Sequence, residues 1–249
     1  VLLELNKIYN EDCLEGMKRI PDKSVDMILC DLPYGTTACK WDAIIPFEPL
    51  WEQYKRVVKD GGAIVLTASQ PFTSALVMSN PKWFKYEWIW EKSKASNFLL
   101  ARKQVLKSHE SVLVFGNGSV VYYPQKTEGK PYSGHNRAGK KGSDTDSYNK
   151  VPNPTFRNGS NDGKRFPRSV QYFKTAESEG KTLHPTQKPV ALFEYLIKTY
   201  TSEDETVLDN CMGSGTTAIA CINTNRNFIG FELDETYFNL ANERIVNHK

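Results

Sequence analysis

Apolar residues recur along this chain in two rhythms. Residues 25–30 (Val-Asp-Met-Ile-Leu-Cys), 63–67 and 111–115 are short, almost continuous apolar runs, the pattern of strands buried on both faces. Residues 7–10, 206–210 and 227–231 are shorter runs of the same kind, and residues 86–91 (Tyr-Glu-Trp-Ile-Trp-Glu) mix aromatic and polar positions in near alternation. Between these runs the spacing changes to three and four. Leu50, Trp51, Tyr54, Val57 and Val58 predict a helix over 47–59, closed by Gly61-Gly62. Further helices are predicted over 13–19, over 71–79 with Pro71 in a permitted first position, and over 189–200, 216–224 and 234–247. Seven strands with interleaved helices predict an α/β fold, Rossmann-like, with a mainly parallel seven-stranded sheet and helices on both faces.

The rhythm lapses between residues 116 and 183. Gly, Asn, Ser, Pro and Lys dominate there, with Tyr122, Tyr123, Tyr132, Tyr148, Phe156, Phe166, Tyr172 and Phe173 interspersed. A long irregular stretch inside a compact domain is usually functional or disordered, and the aromatics argue against plain disorder. The expected division is one part of a domain over 1–115, an insertion over 116–183 and the rest of the same domain over 184–249.

Charge sharpens that division. The net charge of +3 over 249 residues is unevenly spread. Lys126 to Lys174 holds 11 Lys/Arg against four Asp/Glu, whereas the remainder holds 21 against 25. The middle segment is therefore strongly basic and the rest mildly acidic. Such asymmetry suits a polyanionic partner; a solvated loop region is the plain alternative. No apolar stretch approaches the roughly 18 residues that cross a bilayer. The first residues lack a signal peptide's basic start and long apolar centre, so a cytoplasmic protein is expected. The cysteines are Cys13, Cys30, Cys39, Cys211 and Cys221, an odd number without the two-residue spacing of a zinc or redox motif. No metal is expected.

Candidate chemistry collects at two remote places. Asp31-Leu32-Pro33-Tyr34-Gly35 directly follows the strand at 25–30. It puts a carboxylate, a rigid proline corner and an aromatic ring where open α/β sheets gather ligands. An acceptor beside a stacking ring suits a planar, amino-bearing base; an ordinary turn with a capping aspartate is the plain alternative. The second place is Asp209-Asn210-Cys211-Met212-Gly213-Ser214-Gly215-Thr216-Thr217, a glycine turn opening a helix. Its glycines let backbone approach a ligand, and the helix start offers unpaired N–H groups. Glu232 ends the next strand, 23 residues beyond Asp209, a spacing that can bring a carboxylate to ribose hydroxyls. Gly213-x-Gly215-x-x-Ala218 also matches the loose dinucleotide fingerprint. Asp209 would sit poorly beside a pyrophosphate but could pair with the ammonium of an amino-acid moiety. Glycines that merely permit tight strand-to-helix packing are the third reading.

Taken in order, these segments resemble the amino-methylating (N6-adenine or N4-cytosine) DNA methyltransferases, in the permuted class termed β. Asp209 to Thr217 looks like their S-adenosylmethionine motif. His184-Pro185-Thr186-Gln187-Lys188-Pro189 resembles the motif that precedes it, Asp31-Leu32-Pro33-Tyr34 the catalytic Asp-Pro-Pro-Tyr, and Asn10-Glu11-Asp12-Cys13 the segment that meets the cofactor adenine. Leu32 and Asn210 stand where proline is common, and Cys211 where phenylalanine is. The resemblance covers nearly the whole chain outside 116–183.

The resemblance implies individual roles. Asp209, Gly213, Ser214, Gly215 and Thr216 would hold the methionine portion of S-adenosylmethionine, Glu232 the ribose, Asp12 with Cys13 the adenine edge, and Thr186 with Lys188 the cofactor carboxylate. His184 would orient its neighbours. Asp31 and the Leu32 carbonyl would accept the two N–H bonds of the target amine, drawing its lone pair out of conjugation, while Pro33 stiffens the turn and Tyr34 stacks on the base. The base must leave the duplex first. The middle segment becomes a target-recognition insertion, with Lys126, Lys130, Arg137, Lys140, Lys141, Arg157, Lys164, Arg165 and Arg168 as DNA contacts. The implied activity is site-specific methylation of adenine N6 in double-stranded DNA, since Asp31 rather than serine favours adenine. Cytosine N4, an RNA substrate and a non-catalytic DNA-binding regulator are the alternatives. A homodimer and a partner restriction endonuclease are further expectations of the family, without a residue-level argument.

Overall fold

The computed structural model describes residues 3–36, 42–133, 160–180, 182–184 and 186–248. The chain forms two compact units, Val1–Tyr123 with Arg168–Lys249, and Pro124–Pro167. The first half of the larger unit runs β1 (Lys7–Tyr9), α1 (Cys13–Met17), β2 (Val25–Cys30), α2 (Phe47–Val57), β3 (Val58–Ala68), α3 (Phe72–Ser79), β4 (Phe84–Ser96) and β5 (Lys107–Phe115). The smaller unit contributes β6 (Tyr132–Ser133) and β7 (Ser160–Asn161). The larger unit resumes with β8 (Val170–Phe173), α4 (Val190–Tyr200), β9 (Thr206–Asp209), α5 (Thr216–Asn223), β10 (Asn227–Phe231) and α6 (Glu235–Val246).

The main sheet is eight-stranded, in the order β1-β10-β9-β2-β3-β5-β4-β8, and only β5 runs against the others. Side-chain alternation divides its core in two. Ile28, Cys30, Ile64, Leu66 and Leu208 face α1, α2 and α3 through Met17, Tyr54 and Leu76. Met27, Leu29, Val65 and Val207 face α4, α5 and α6 through Leu196, Ala218 and Ala241. Two hydrocarbon layers explain why the central strands read as continuous apolar runs. Among the described residues no helix is long and apolar enough to cross a membrane.

Two expectations need correction. The sheet has eight strands, not seven, because Val170–Phe173 pairs parallel with Ile89–Lys92 inside the stretch that reads as irregular. The Gly61-Gly62 pair does not close α2 but lies within β3. Val58 is in phase with the helix yet pairs with Val25 across the sheet, so the ladder captures it. Gly62 is needed there: a Cβ would lie 2.7 Å from the Asp26 carbonyl oxygen.

The smaller unit, over its described residues, is an antiparallel ribbon. Tyr132 pairs with Asn161 and Ser133 with Ser160. Thr127 and Arg165 exchange backbone hydrogen bonds of 3.0 and 2.8 Å. Gly163, at φ +95°, packs so closely on Gly129 that a Cβ would meet its carbonyl oxygen.

Candidate active site

Strands β2 and β9 are neighbours in the sheet, with Met27 beside Val207 and Ile28 beside Leu208. Asp31, just past β2, and Asp209, closing β9, therefore leave the same sheet end side by side. The loops that follow line one cavity of about 400 Å³, together with Thr186, Gln187, Lys188 and Glu232. That volume suits a small-molecule site. The site is assembled from segments more than 150 residues apart because parallel pairing, not sequence proximity, sets which strand ends meet.

Asp31 is held firmly. Tyr34 Oη donates to its Oδ1 at 2.8 Å and lies 3.1 Å from Thr67 Oγ1. The Thr67 hydroxyl donates to the same Oδ1. Lys188 Nζ donates to Oδ2 at 2.6 Å. A carboxylate offers about four acceptor positions, so one, on Oδ2, is left open. The Tyr34 ring stacks on Phe72 with centroids 5.2 Å apart and carries the Lys188 ammonium 5.5 Å from its own centroid. Burial pushes the Tyr34 phenol well up, so it stays a donor. Leu32, where proline is common, buries its side chain in the core. Asp42 clamps the next two residues, accepting from Gly35 N and Thr36 N at 2.9 Å each.

Lys188 is only 6% exposed and sits between two carboxylates. Besides Asp31 it meets Glu110 Oε2 at 3.5 Å, and Glu110 Oε1 is bound by Lys92 at 2.8 Å. Burial pushes a lysine down, but here Asp31 and Glu110 outweigh it and hold Lys188 above its ordinary value. Burial likewise opposes ionisation of Glu110, and the cations Lys188 and Lys92 outweigh that, holding its carboxyl low. A chain of alternating charges thus runs from β4 through β5 to the Asp31 corner. The resemblance implies that Lys188 meets a cofactor carboxylate; its ammonium is paired with Asp31, and Lys188 and Thr186 both line the cavity.

On the other side, Asp209 is fully buried, and burial pushes its pKa up to about 6 against the hydrogen bonds it accepts from Thr217 Oγ1 and Cys211 N. Among the described residues no ammonium or guanidinium pairs with it. Glu232 accepts from Gly213 N at 2.7 Å and Asp234 N at 2.9 Å, and burial raises its pKa. Ser214 Oγ donates to Gln187 Oε1 at 3.2 Å, and Thr216 Oγ1 to the Lys188 carbonyl at 3.3 Å. These bonds stitch the segment around Lys188 to the glycine turn. His184 Nδ1 accepts from Thr186 N at 3.2 Å, its ring 4.2 Å from that of Tyr237, and burial keeps the imidazole neutral.

Three expected cofactor residues stand back from the cavity. Asp12 caps α1, accepting from Leu14 N at 2.8 Å and Glu15 N at 3.2 Å. Cys13 is buried beside the Asn210 amide, 3.6 Å away. Gly215, at φ +81°, faces α6, where a Cβ would lie 3.2 Å from that of Ala241. Burial raises the Cys30 thiol to about 12, so it is no nucleophile. Of the expected DNA contacts, Lys126, Lys130 and Lys164 are exposed on the ribbon, with Lys126 stacked on Phe166 at 4.4 Å. Arg165 donates to the Lys130 carbonyl at 2.7 Å, and Arg168 is exposed just before β8. Arg137, Lys140, Lys141 and Arg157 lie outside the described residues, as does Cys39. Sequence reading gives no role to Thr67, Glu110, Asp42, Gln187, Thr217, Asp234 and Tyr237. Gln187 and Thr217 stand inside the two quoted motifs, and Asp234 carries a local signal, an aspartate capping a helix.

Comparison with known proteins agrees with this geometry. A family model described as DNA methylase, of the N6 and N4 type, matches residues 25–243. The chain is 30% identical to the Type II methyltransferase M1.MboII of Moraxella bovis, over 97% of this chain and 96% of that protein. It is 29% identical to the Type II methyltransferase M.BglII of Bacillus subtilis, over 95% and 68% respectively. Its fold matches the crystal structure of the M1.HpyAVI complex with S-adenosylmethionine with a TM-score of 0.64 at 25% identity, covering 97% of this chain and 98% of that one. The PvuII cytosine-N4 methyltransferase shares the fold with a TM-score of 0.67 at 14% identity, over 100% and 95%. The chain belongs to the amino-methylating DNA methyltransferases, which carry a methyl group from S-adenosylmethionine to N6 of adenine or N4 of cytosine.

Proposed function

We propose that this chain methylates N6 of adenine at a defined sequence in double-stranded DNA, acting on a base turned out of the helix. The observation that carries the reading is Asp31, oriented on three sides with one acceptor position open, in the cavity that the glycine turn also lines. The residues present fit the cofactor. Asp209 is a buried carboxylate with no cation paired to it among the described residues, and an ammonium placed against it would favour its charged form. Glu232 lines the cavity for hydroxyl donors, and Thr186 offers a hydroxyl for a carboxylate. S-adenosylmethionine supplies a methyl group on positively charged sulfur.

The protein's own contribution is positioning and polarity. An exocyclic amine is a weak nucleophile because its lone pair is delocalised into the ring. Asp31 Oδ2 accepts one N–H and the Leu32 carbonyl the other, which turns the lone pair toward the methyl carbon. Lys188, Tyr34 and Thr67 hold Asp31 and keep it aimed. The exposed cations of the ribbon and Arg168 take DNA phosphates. Aspartate in the catalytic motif supports adenine over cytosine by family resemblance.

The test combines methyl-labelled S-adenosylmethionine with mixed-sequence duplex DNA and matched RNA, followed by nucleoside analysis. N6-methyladenine from DNA is expected, and Asp31→Ala should lose it while still binding cofactor. N4-methylcytosine would replace the base assignment, label in RNA alone would replace the substrate, and DNA binding without label would mark a regulator.

A further inference from the structure

Strands β4 and β5 run on past the end of β3, with β8 beside β4 as far as Lys92. Ile89 and Ser111 are level with each other and with Ala68, the last residue of β3. β4 continues to Ser96, which pairs with Lys107. Both β3 and β4 run against β5, so the extension leaves the sheet at the end where Asp31 sits. β5 carries the ladder four residues beyond Ser111, to Lys107, at about 3.3 Å each, while β4 covers the same span with an irregular stretch between Glu91 and Ser96, so the tip stands about 13 Å past that end.

The tip is apolar and basic together. Asn97, at φ 75°, turns the chain into a single 3₁₀ turn, Phe98–Leu100. Phe98, Leu99 and Val105 are 67%, 101% and 88% exposed. Exposed apolar clusters of this kind mark interaction sites. Every charged residue from 93 to 108 is a cation: Lys94, Arg102, Lys103 and Lys107. Its root is the half-buried ion pair of Lys92 and Glu110, which leads directly to Lys188 and Asp31.

We propose that this arm grips duplex DNA, its cations on the phosphates and Leu99 entering the base stack where the target base has left. The inference rests on the DNA-methylation reading above. Charge decides the occupant. A second copy docking tip to tip would set four cations against four. Duplex DNA presents phosphates flanking an apolar stack, matching cations that flank apolar side chains. A base turned out leaves a gap between two apolar faces, and inserted leucines are a known means of holding such a gap.

The test first locates the methylated sequence by sequencing DNA treated with the wild-type enzyme. Short duplexes carrying that site are then made with the target either paired or opposite an abasic position, and with 2-aminopurine beside the target as a reporter of unstacking. Leu99→Ala leaves the fold unaffected because the side chain touches nothing that a folded core needs. On the paired duplex we expect kcat/KM to fall on the order of tenfold, equivalent to about 1.4 kcal/mol, with the fluorescence rise lost and cofactor affinity unchanged. On the abasic duplex the defect should largely vanish, since unstacking is already easy there. Equal rates for variant and wild type on the paired duplex would overturn the proposal. So would an equal loss on both duplexes, or an effect confined to oligomeric state or to binding of anionic lipid vesicles. If the wild type itself methylates no DNA, the activity reading fails and the arm with it; a wild type that methylates normally beside an unaffected variant removes the arm alone.

Discussion

Glu110→Gln keeps the shape of the side chain and removes one charge from the partly buried chain of Lys92, Glu110, Lys188 and Asp31. Glu110 and Lys188 stand 3.5 Å apart, so at an effective dielectric of about 20 their attraction is on the order of 5 kcal/mol before desolvation and relaxation. Burial pulls Lys188 down, and Asp31 with Glu110 reverses that pull. Removing Glu110 leaves burial opposed by Asp31 alone, so Lys188 titrates at lower pH. If a third of the gross attraction survives relaxation, the alkaline limb of kcat moves down by about one pH unit, at 1.36 kcal/mol per unit. The sign follows from the raised folded pKa: the ammonium's contribution is fully present below the ordinary lysine value and is lost as pH rises through the folded one. Once Lys188 is neutral, Asp31 loses its charged partner and its aim, and kcat falls while the KM for cofactor holds. The assay is kcat against pH from about 8 to 11, a window that reaches the ordinary lysine range, with cofactor affinity by calorimetry at each pH. Adding Lys92→Met removes a repelling cation and should return part of the limb. Superimposable profiles for wild type and Glu110→Gln would refute the electrostatic role of Glu110.

Other perturbations probe other parts of the molecule. Asp209 titrates at about 6 in the free protein, so cofactor affinity should be steady above that pH and weaken as pH falls below it; calorimetry from pH 5 to 8 checks this, and a flat profile would separate Asp209 from the ammonium. Thr217→Val deletes a buried hydroxyl that donates to Asp209 and should lower thermal stability by about 1–3 kcal/mol, measured by melting without cofactor. Gln in place of Lys126, Lys130 and Lys164 should weaken DNA binding and flatten its salt dependence by about 0.9 in slope for each phosphate no longer neutralised; an unchanged slope removes those side chains from the interface. Gly16→Ala would drive a Cβ into the Phe231 ring and should cost about 1–3 kcal/mol of stability by overpacking, read from the melting midpoint.

The central strands were legible because both faces of each are buried, so a local run of apolar residues carries the whole signal. β8 was not, because an edge strand buries less: Val170 and Tyr172 are 49% and 57% exposed, and the segment sits among Gly, Asn and Pro. The end of α2 failed for a different reason. Val58 fits the helical spacing, and only its partner Val25, distant in sequence, reveals that it belongs to the sheet. The site divides the same way. Asp31, Tyr34, Asp209 and Glu232 stand in short motifs at strand ends, which a sequence displays. Lys188 is in a motif too, but its partners are 157 residues away at Asp31 and on another strand at Glu110. Glu110 reads in sequence only as a polar residue ahead of an apolar run.

Leu32 shows how the departure from proline is accommodated. Under the proposed reading its carbonyl accepts one amine N–H while Asp31 accepts the other, and two acceptors must keep a fixed angle. Proline fixes a backbone by locking φ. Here the leucine side chain is 3% exposed and packed in the core beneath the sheet end, which anchors the same peptide from the other side. Pro33 follows and restrains Leu32 to an extended conformation. Asp42 then closes the turn through Gly35 and Thr36. Rigidity at this corner comes from burial, one proline and a carboxylate clamp, so Leu32→Ala should loosen it more than Leu32→Pro would, with transfer rate falling ahead of cofactor affinity. A Leu32→Ala enzyme with the wild-type rate would show that side-chain burial does not aim the carbonyl.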